Sequence, residues 1–477
     1  MANYGAPNVY VEDIVSGSQS ITQASSSVGI MIGVTRSGVL GVAQKIGSWT
    51  EFIAKYANGL DTPFMEDSYL PYAVHGFFNN GGKELYIGSI KKNAIKATAI
   101  GATSGIVVTA SNEGIWGNDL KVSITNSEDH TAEAPKFDVT VLLGSVSVAY
   151  VESVAVKDLE KTIMSNTKFK QWLSAFTLPE DTSAVVAEEI ALAGGTDGDV
   201  LSDSDYTDAL TMIDVLDDVT MVAIPGQTSK TVNDALLAYC DKNGLFPFLD
   251  MPMGSTTEAT KAYRKSVTAW TGAVCHPWGK VNDPLTNTLK AVPTAGHVMG
   301  VYARTIQNRG IHKAPAGTDA VVRGFVEMEY ALTPTQISTL NPIGVICIVA
   351  KPNSGIVLWG ARSLNSTDTT MRYVTDGLLN LNIKKSLFDG TLFAVFEPND
   401  SALWSKVRGA CKGFLETLRL QGALKGTKDE AYYVIVDETN NTDSTINEGE
   451  LHIEIGYAPV KPAEFVVIKL AHSIVSQ

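Results

Sequence analysis

The chain has 477 residues, of which 44% are apolar and 18% charged, with a formal balance of -14. One hydrophobic core does not serve that length, so several domains are expected, and the acidic balance argues against broad binding to a phosphate backbone. No uninterrupted apolar run reaches membrane-spanning length, and the opening MANYGAPNVYVEDI lacks a basic segment followed by an apolar one, so neither a spanning helix nor an export signal is expected.

Taken in chain order, NVYVEDI sets Val9 and Val11 against Tyr10 and Ile14, the alternation of an edge strand. KELYIGSI follows the turn NNGG and reads as a buried strand. From about Ala99 to Thr182 the texture changes to short runs such as GIVVTAS, LKVSITN and FDVTVLLGSVSVAYVESV, which predict an inserted β-rich domain. Within it, DLEKTIMSNTKFKQWLSAF is expected to be helical and to pack on one side. Between Asp203 and Trp278 the period switches repeatedly. A helix capped by Asp203 and Ser204 presents Tyr206, Leu210, Ile213 and Leu216; VTMVAIPG is a strand; a helix through TVNDALLAYCDKNG ends at Gly244; LFPFLDMP, TEATKAYRKSVTAW and TGAVCHPW are strand, helix and strand. Strands alternating with helices imply a parallel sheet covered on both faces. From Leu332 a third region mixes strands with one long helix, in which Leu403, Val407, Cys411, Phe414 and Leu418 follow helical spacing behind Asn399 and Asp400. Near the C-terminus, Phe465, Val466, Val467, Ile468 and Leu470 put apolar side chains on both faces of an expected strand, which therefore needs cover from somewhere.

Signatures of catalysis and cofactor binding are missing: there is no GxxxxGK[ST], no GxGxxG after a strand, no HExxH and no GxSxG. GALKGTK at Gly422 lacks the ending of a phosphate loop and reads as an exposed turn. In GGTDGDVLSDSDYTD, Asp197 and Asp199 have the spacing of the first two ligands of a calcium loop, but the third ligand, the central glycine and the closing glutamate are absent, so no metal site is expected. Cys240, Cys275, Cys347 and Cys411 are widely spaced and read as buried thiols. Ligands of a parallel sheet sit beyond the carboxyl ends of its strands. There Asp250, His276 and Lys280 form the best catalytic alternative, a multidomain α/β enzyme, against which stands their equally good use as turn and packing residues.

The chain resembles the tail sheath proteins of contractile-tailed bacteriophages. PNVYVEDIVSGSQSI, FFNNGGKELYI, EGIWGNDLKV, LAGGTDG with VAIPG, and HPWGK with VPTAGHVMGVYARTIQNRGIHKAPAG carry the likeness. LNPIGV, GIVLWGARSL, the long run from FAVFEPNDSALWSKVRGACKGFLETLRLQGALKGTKDEAYYV, and GELHIEIGYAPVKPAEFVVIKL complete it in the family order. One departure is SIKK after KELYIG, where family members often carry an arginine. The resemblance implies a structural subunit with no cofactor, assembled in the host cytoplasm, that polymerises into a helical tube around an inner tail tube. It implies contacts with baseplate and tail terminator proteins, no nucleic-acid contact and no direct membrane insertion. Contraction, driven by energy stored on assembly, would carry the tube through the host envelope. A phage-derived bacteriocin-like particle is the alternative within the same family.

The resulting expectation is an α/β and α+β multidomain chain: a core at residues 23–98 and 191–331, an inserted β-rich outer domain at 99–190, a mixed α+β tube-facing domain at 332–460, and extended strand arms at 1–22 and 461–477. By the resemblance, Val9, Tyr10, Val11, Ile14, Phe465, Val466, Val467, Ile468 and Leu470 join neighbouring subunits by strand addition; an ordinary strand within the same subunit is the alternative. Lys406, Arg408, Lys412 and Arg419, set against Glu416, form a net basic helix face that either meets an acidic tube or is simply solvated.

Overall fold

The computed structural model describes residues 20–57, 62–267 and 269–468. They form two compact units, one of Ser25–Leu381 and one in which residues 20–24 join residues 382–468. The division falls within the helix Val374–Thr391.

The first unit is built on an eight-stranded sheet. Its order is Gly355–Leu358, Val345–Lys351, Ala273–His276, Phe246–Asp250, Met221–Ala223, Gly29–Gly33, Leu85–Ser89 and Ala43–Ile46. The six inner strands pair in parallel, and the two outermost strands are antiparallel to their neighbours. Every residue of Gly29–Gly33 and Phe246–Asp250 is buried, as a sheet covered on both faces requires. The strand read from KELYIGSI lies in this sheet at Leu85–Ser89. Two strands of the region expected to begin a separate domain at Leu332 also belong to it, because Val345–Lys351 buries its first five residues beside Ala273–His276.

Local chemistry explains the element ends. The helix Lys230–Asn243 stops at Gly244, whose φ of 69° is the left-handed conformation a glycine adopts without strain. The expected helix from Asp203 is shorter than its apolar spacing suggested. Ser202 is its cap, through a capping box with Asp205, and after Asp208 the chain tightens into a 3-10 turn, Ala209–Ile213.

Two small sheets are inserted between Leu85–Ser89 and Met221–Ala223. One pairs Glu188–Ala191, Leu120–Asn126, Lys136–Leu143 and Val146–Ala155; the other pairs Thr98–Ile100, Val107–Ala110 and Leu173–Thr177. They share a core with Trp116, Phe137, Phe169, Trp172 and Phe176. The stretch expected to be one helix divides into Val156–Ser165, a turn of helix at Thr167–Lys170, and the strand Leu173–Thr177. Asn166 accepts from the Lys168 N–H, a cap that starts a new helix in place of continuing the old one.

The second unit holds the end of Val374–Thr391, the helix Ser401–Leu420 and the antiparallel pair Tyr432–Ile435 and Glu454–Tyr457. Asp400 starts the long helix by accepting from the Ala402 and Leu403 N–H groups, both at 2.9 Å. Leu403, Val407, Cys411, Phe414 and Leu418 form its buried face.

Candidate interaction surfaces

The strand-end residues were the catalytic alternative, and each has a structural partner. Asp250 is buried; its carboxylate accepts from the N–H groups of Thr294 and Ala295 at 2.9 and 2.8 Å and of Gly226 at 3.2 Å. It thereby satisfies donors at the start of the helix Ala295–Arg309. Desolvation pushes this carboxyl up to about 6, against the lowering effect of those three donors. The His276 ring shares a hydrogen bond between Nε2 and the Tyr330 hydroxyl, and burial pushes it down to about 4. Lys280 pairs with Glu327 on the adjoining strand at 2.7 Å. Asp250 and Cys275 are register partners on adjacent strands, which sets Asp250 beside the strand that ends at His276, while Lys280 lies in a separate three-stranded sheet. The three are committed to three different partners.

The acidic run is likewise consumed by structure. Asp197 accepts from Lys91 Nζ at 2.7 Å, and Asp199 accepts from the Asn93 side chain at 2.8 Å. Among the described residues no group of three or more potential metal ligands is gathered. Lys91, the first lysine of SIKK, has a side chain only 1% exposed, and it also donates to the backbone carbonyls of Arg36 and Glu113 at 3.0 and 3.3 Å. Desolvation lowers its pKa, while Asp197 works the other way. The lysine therefore ties the start of the inserted sheets to the loop after Gly29–Gly33. Sequence reasoning flagged it only as a missing arginine.

On the Ser401–Leu420 helix the four predicted cations separate into two classes. Arg419 is forked onto Glu416 at 2.7 and 2.9 Å, and Glu416 also accepts from Tyr432 at 3.0 Å. Led by the Arg419 fork, these contacts hold the Glu416 carboxyl down to about 2. Arg408 lies 3.8 Å from Asp437. Lys406 and Lys412 are exposed and have no ion-pair partner among the described residues. The i,i+3 spacing of Glu416 and Arg419 was the signal for the fork.

The C-terminal run is the most open surface. After Glu454–Tyr457 the chain is held at Ala458 and Val460, through Lys425 N–H to Ala458 O at 2.8 Å and Val460 N–H to Ala423 O at 3.1 Å. Residues 461–468 then have neither helix nor strand. Phe465, Val466, Val467 and Ile468 are 72%, 82%, 77% and 77% exposed. Among the described residues, 465–468, the expected strand is thus not formed. Val9, Tyr10, Val11, Ile14 and Leu470 lie outside the described residues. Among the described residues the Tyr432–Ile435 and Glu454–Tyr457 pair has no third strand.

Comparison with known proteins bears on these surfaces. The model of the phage tail sheath protein central domain matches residues 199–364, and that of the phage tail sheath C-terminal domain matches residues 382–471. The chain is 28% identical over 188 residues to the tail sheath protein of Vibrio phage KVP40, covering 39% of this chain and 27% of that protein. It is 22% identical over 253 residues to the tail sheath protein of Escherichia phage P2, covering 52% and 62% respectively. The chain therefore spans less than two thirds of the length of these relatives. Its fold is similar to a sheath of an extracellular contractile injection system in the contracted state, with a TM-score of 0.64, 21% identity and 99% of each chain covered.

Proposed function

The chain belongs to the phage tail sheath family, and from that premise we propose that it polymerises by strand exchange into a contractile helical tube. Membership in that family implies a structural, non-enzymatic role. In this reading the Phe465–Ile468 segment leaves its own subunit and adds to an edge of the Tyr432–Ile435 and Glu454–Tyr457 pair of another copy. The observation that carries it is the four consecutive apolar side chains held in water a few residues after a two-stranded sheet, an arrangement that is marginal alone and that added strands would complete. The N-terminal alternation of Val9, Tyr10, Val11 and Ile14 supplies a second connector of the same type.

Magnitudes favour a repeated link. Burying the four tail side chains is worth about 1.5–3 kcal/mol each, and four or five ladder hydrogen bonds add about 1 kcal/mol apiece. Ordering about eight residues costs on the order of 1–2 kcal/mol each. One link comes out near balance. Two connectors per subunit, each raising the local concentration of the next, make a cohesive lattice. Such a lattice stays joined while globular bodies turn during contraction. The inner tube is the proposed partner of Lys406 and Lys412, with Arg408 and Arg419 contributing only if they exchange their present carboxylates. Baseplate and terminator proteins would cap the two ends, and contraction would drive the tube through a host envelope.

Electron microscopy of the purified chain tests this reading. Tubes are expected from the full chain and lost on deletion of the residues after Pro462 or before Gly17. Closed small oligomers from the intact protein would overturn it. Isolation of headless particles carrying the chain would assign it to a phage-derived injection device in place of a virion tail.

A further inference from the structure

A second apolar surface lies at the end of Val374–Thr391. Phe388, Leu392 and Val395 are 65%, 54% and 59% exposed, and Phe396 is fully exposed. Phe396 also has a φ of 66°, a left-handed conformation that is strained for a bulky residue. Phe388 and Leu392 are four residues apart and share a helix face with Lys384 and Lys385 one turn earlier. Lys384 is exposed, and Lys385 pairs with Asp389 at 3.1 Å. An apolar ridge rimmed by lysine at one end is suited to an extended segment carrying both apolar and acidic side chains.

The chain itself delivers such a segment to this place. Ala24 N–H donates to Ser386 Oγ at 2.9 Å, and Gln23 Nε2 donates to Asn382 Oδ1 at 3.1 Å. Ile21 lies against the bare backbone of Gly390, where a Cβ would sit 2.5 Å from Ile21 Cγ2. Read toward the N-terminus, the chain thus climbs the helix toward the ridge, along the opposite face. The next residues, Ser20 back to Ser16, form a Ser/Gly-rich linker, and beyond it Val9, Tyr10, Val11, Ile14 and Val15 enclose Glu12 and Asp13. A Ser/Gly-rich coil of seven residue steps, the number from Ile21 to Ile14, spans about 15 Å on average. The helix to be rounded is about 10–12 Å across.

We propose that, in the unassembled subunit, residues 8–15 dock on the Phe388–Phe396 ridge of their own chain, with Glu12 and Asp13 toward Lys384. Tethering makes this contact intramolecular and therefore independent of protein concentration. It shields both the arm and the ridge until a neighbour's sheet edge outcompetes it. The proposal rests on the reading of residues 8–15 as a connector, and it adds a resting place that delays polymerisation.

The full-length protein carrying Ile14→Cys and Leu392→Cys tests it, because the four native thiols are buried. Held dilute and treated with oxidised glutathione, it is expected to form a disulfide within one chain, read as a monomeric mass whose digest contains the two linked peptides. Disulfides only between chains would overturn the proposal and give the ridge to a second copy; no disulfide would also overturn it. In a separate arm, Leu392→Ser with Phe396→Ser is expected to start tube growth several-fold sooner than the unaltered chain, and an unchanged or later onset would overturn the proposal. If no variant and no unaltered chain forms tubes, the sheath reading fails, while the disulfide measurement still decides whether the arm docks.

Discussion

The central sheet and the C-terminal strand pair are made from similar residues but treat them differently. In the sheet, Ile30, Met31, Ile32, Phe246 and Phe248 are all essentially buried, under helices that their own chain supplies. In the C-terminal unit, Tyr433 is half exposed, the Glu454–Tyr457 strand has no buried residue, and the Phe465–Ile468 run beyond it is in water. The first region is finished within one chain. The second keeps apolar side chains in water, and burying them in association would draw on the same hydrophobic effect that stabilises the first.

The largest effect that would break this contrast is loss of the tail. Removing the residues after Pro462 is expected to abolish tubes completely and to leave the thermal midpoint of the dispersed subunit within about 1 °C, because Phe465, Val466, Val467 and Ile468 are largely exposed. A large fall in the midpoint would show that the tail is packed within its subunit. The converse change is Phe248→Ala in the sheet. It is expected to cost about 3–5 kcal/mol in urea titrations, and to lose tubes only because the subunit unfolds.

Acid sharpens the same contrast, because Asp250, His276 and His297 are buried and belong to the sheet unit. His276 and His297 are held down to about 4 and about 3 by burial, so between those values and about 6.5 the unfolded chain binds more protons. Their contribution is present above about pH 6.5 and is lost as pH falls through that window. Asp250, held up to about 6, has the opposite sign: between about pH 4 and 6 the folded state binds the proton, so its contribution falls as pH rises. Each is worth on the order of 3–5 kcal/mol. His297 stacks on Phe325 at 4.1 Å and its Nδ1 has no hydrogen-bond partner, so His297→Phe is expected to flatten the acid loss of stability. Asp250→Asn is expected to steepen it. Urea midpoints from pH 4 to 7 read both slopes.

The smallest effects concern the helix face. Arg419→Ala is expected to lower the urea midpoint only slightly, since its fork with Glu416 is half-buried and reached by solvent. Lys406→Glu with Lys412→Glu should leave stability within about 0.5 kcal/mol while weakening salt-sensitive association with an acidic partner. If Arg419 instead dominated that association, the present pairing with Glu416 would have to open on binding.

Several features were legible in the residues alone. Alternating periods gave the parallel arrangement around Met221–Ala223, Phe246–Asp250 and Ala273–His276, because strand and helix spacing are local properties of side-chain direction. The Gly244 stop and the buried face of Ser401–Leu420 were legible for the same reason. The absence of polar residues from Phe465 to Ile468 also showed that this segment needs cover. Sequence could not say that Val345–Lys351 completes the central sheet, since strand order depends on contacts far apart in the chain. Nor could it tell that Arg419 is spent on Glu416 and Tyr432, or that Lys91 is buried in place of an expected arginine. Which groups find each other is decided when distant segments pack, and a buried charge or an uncovered edge exists only once that packing has excluded water from one place and left it in another.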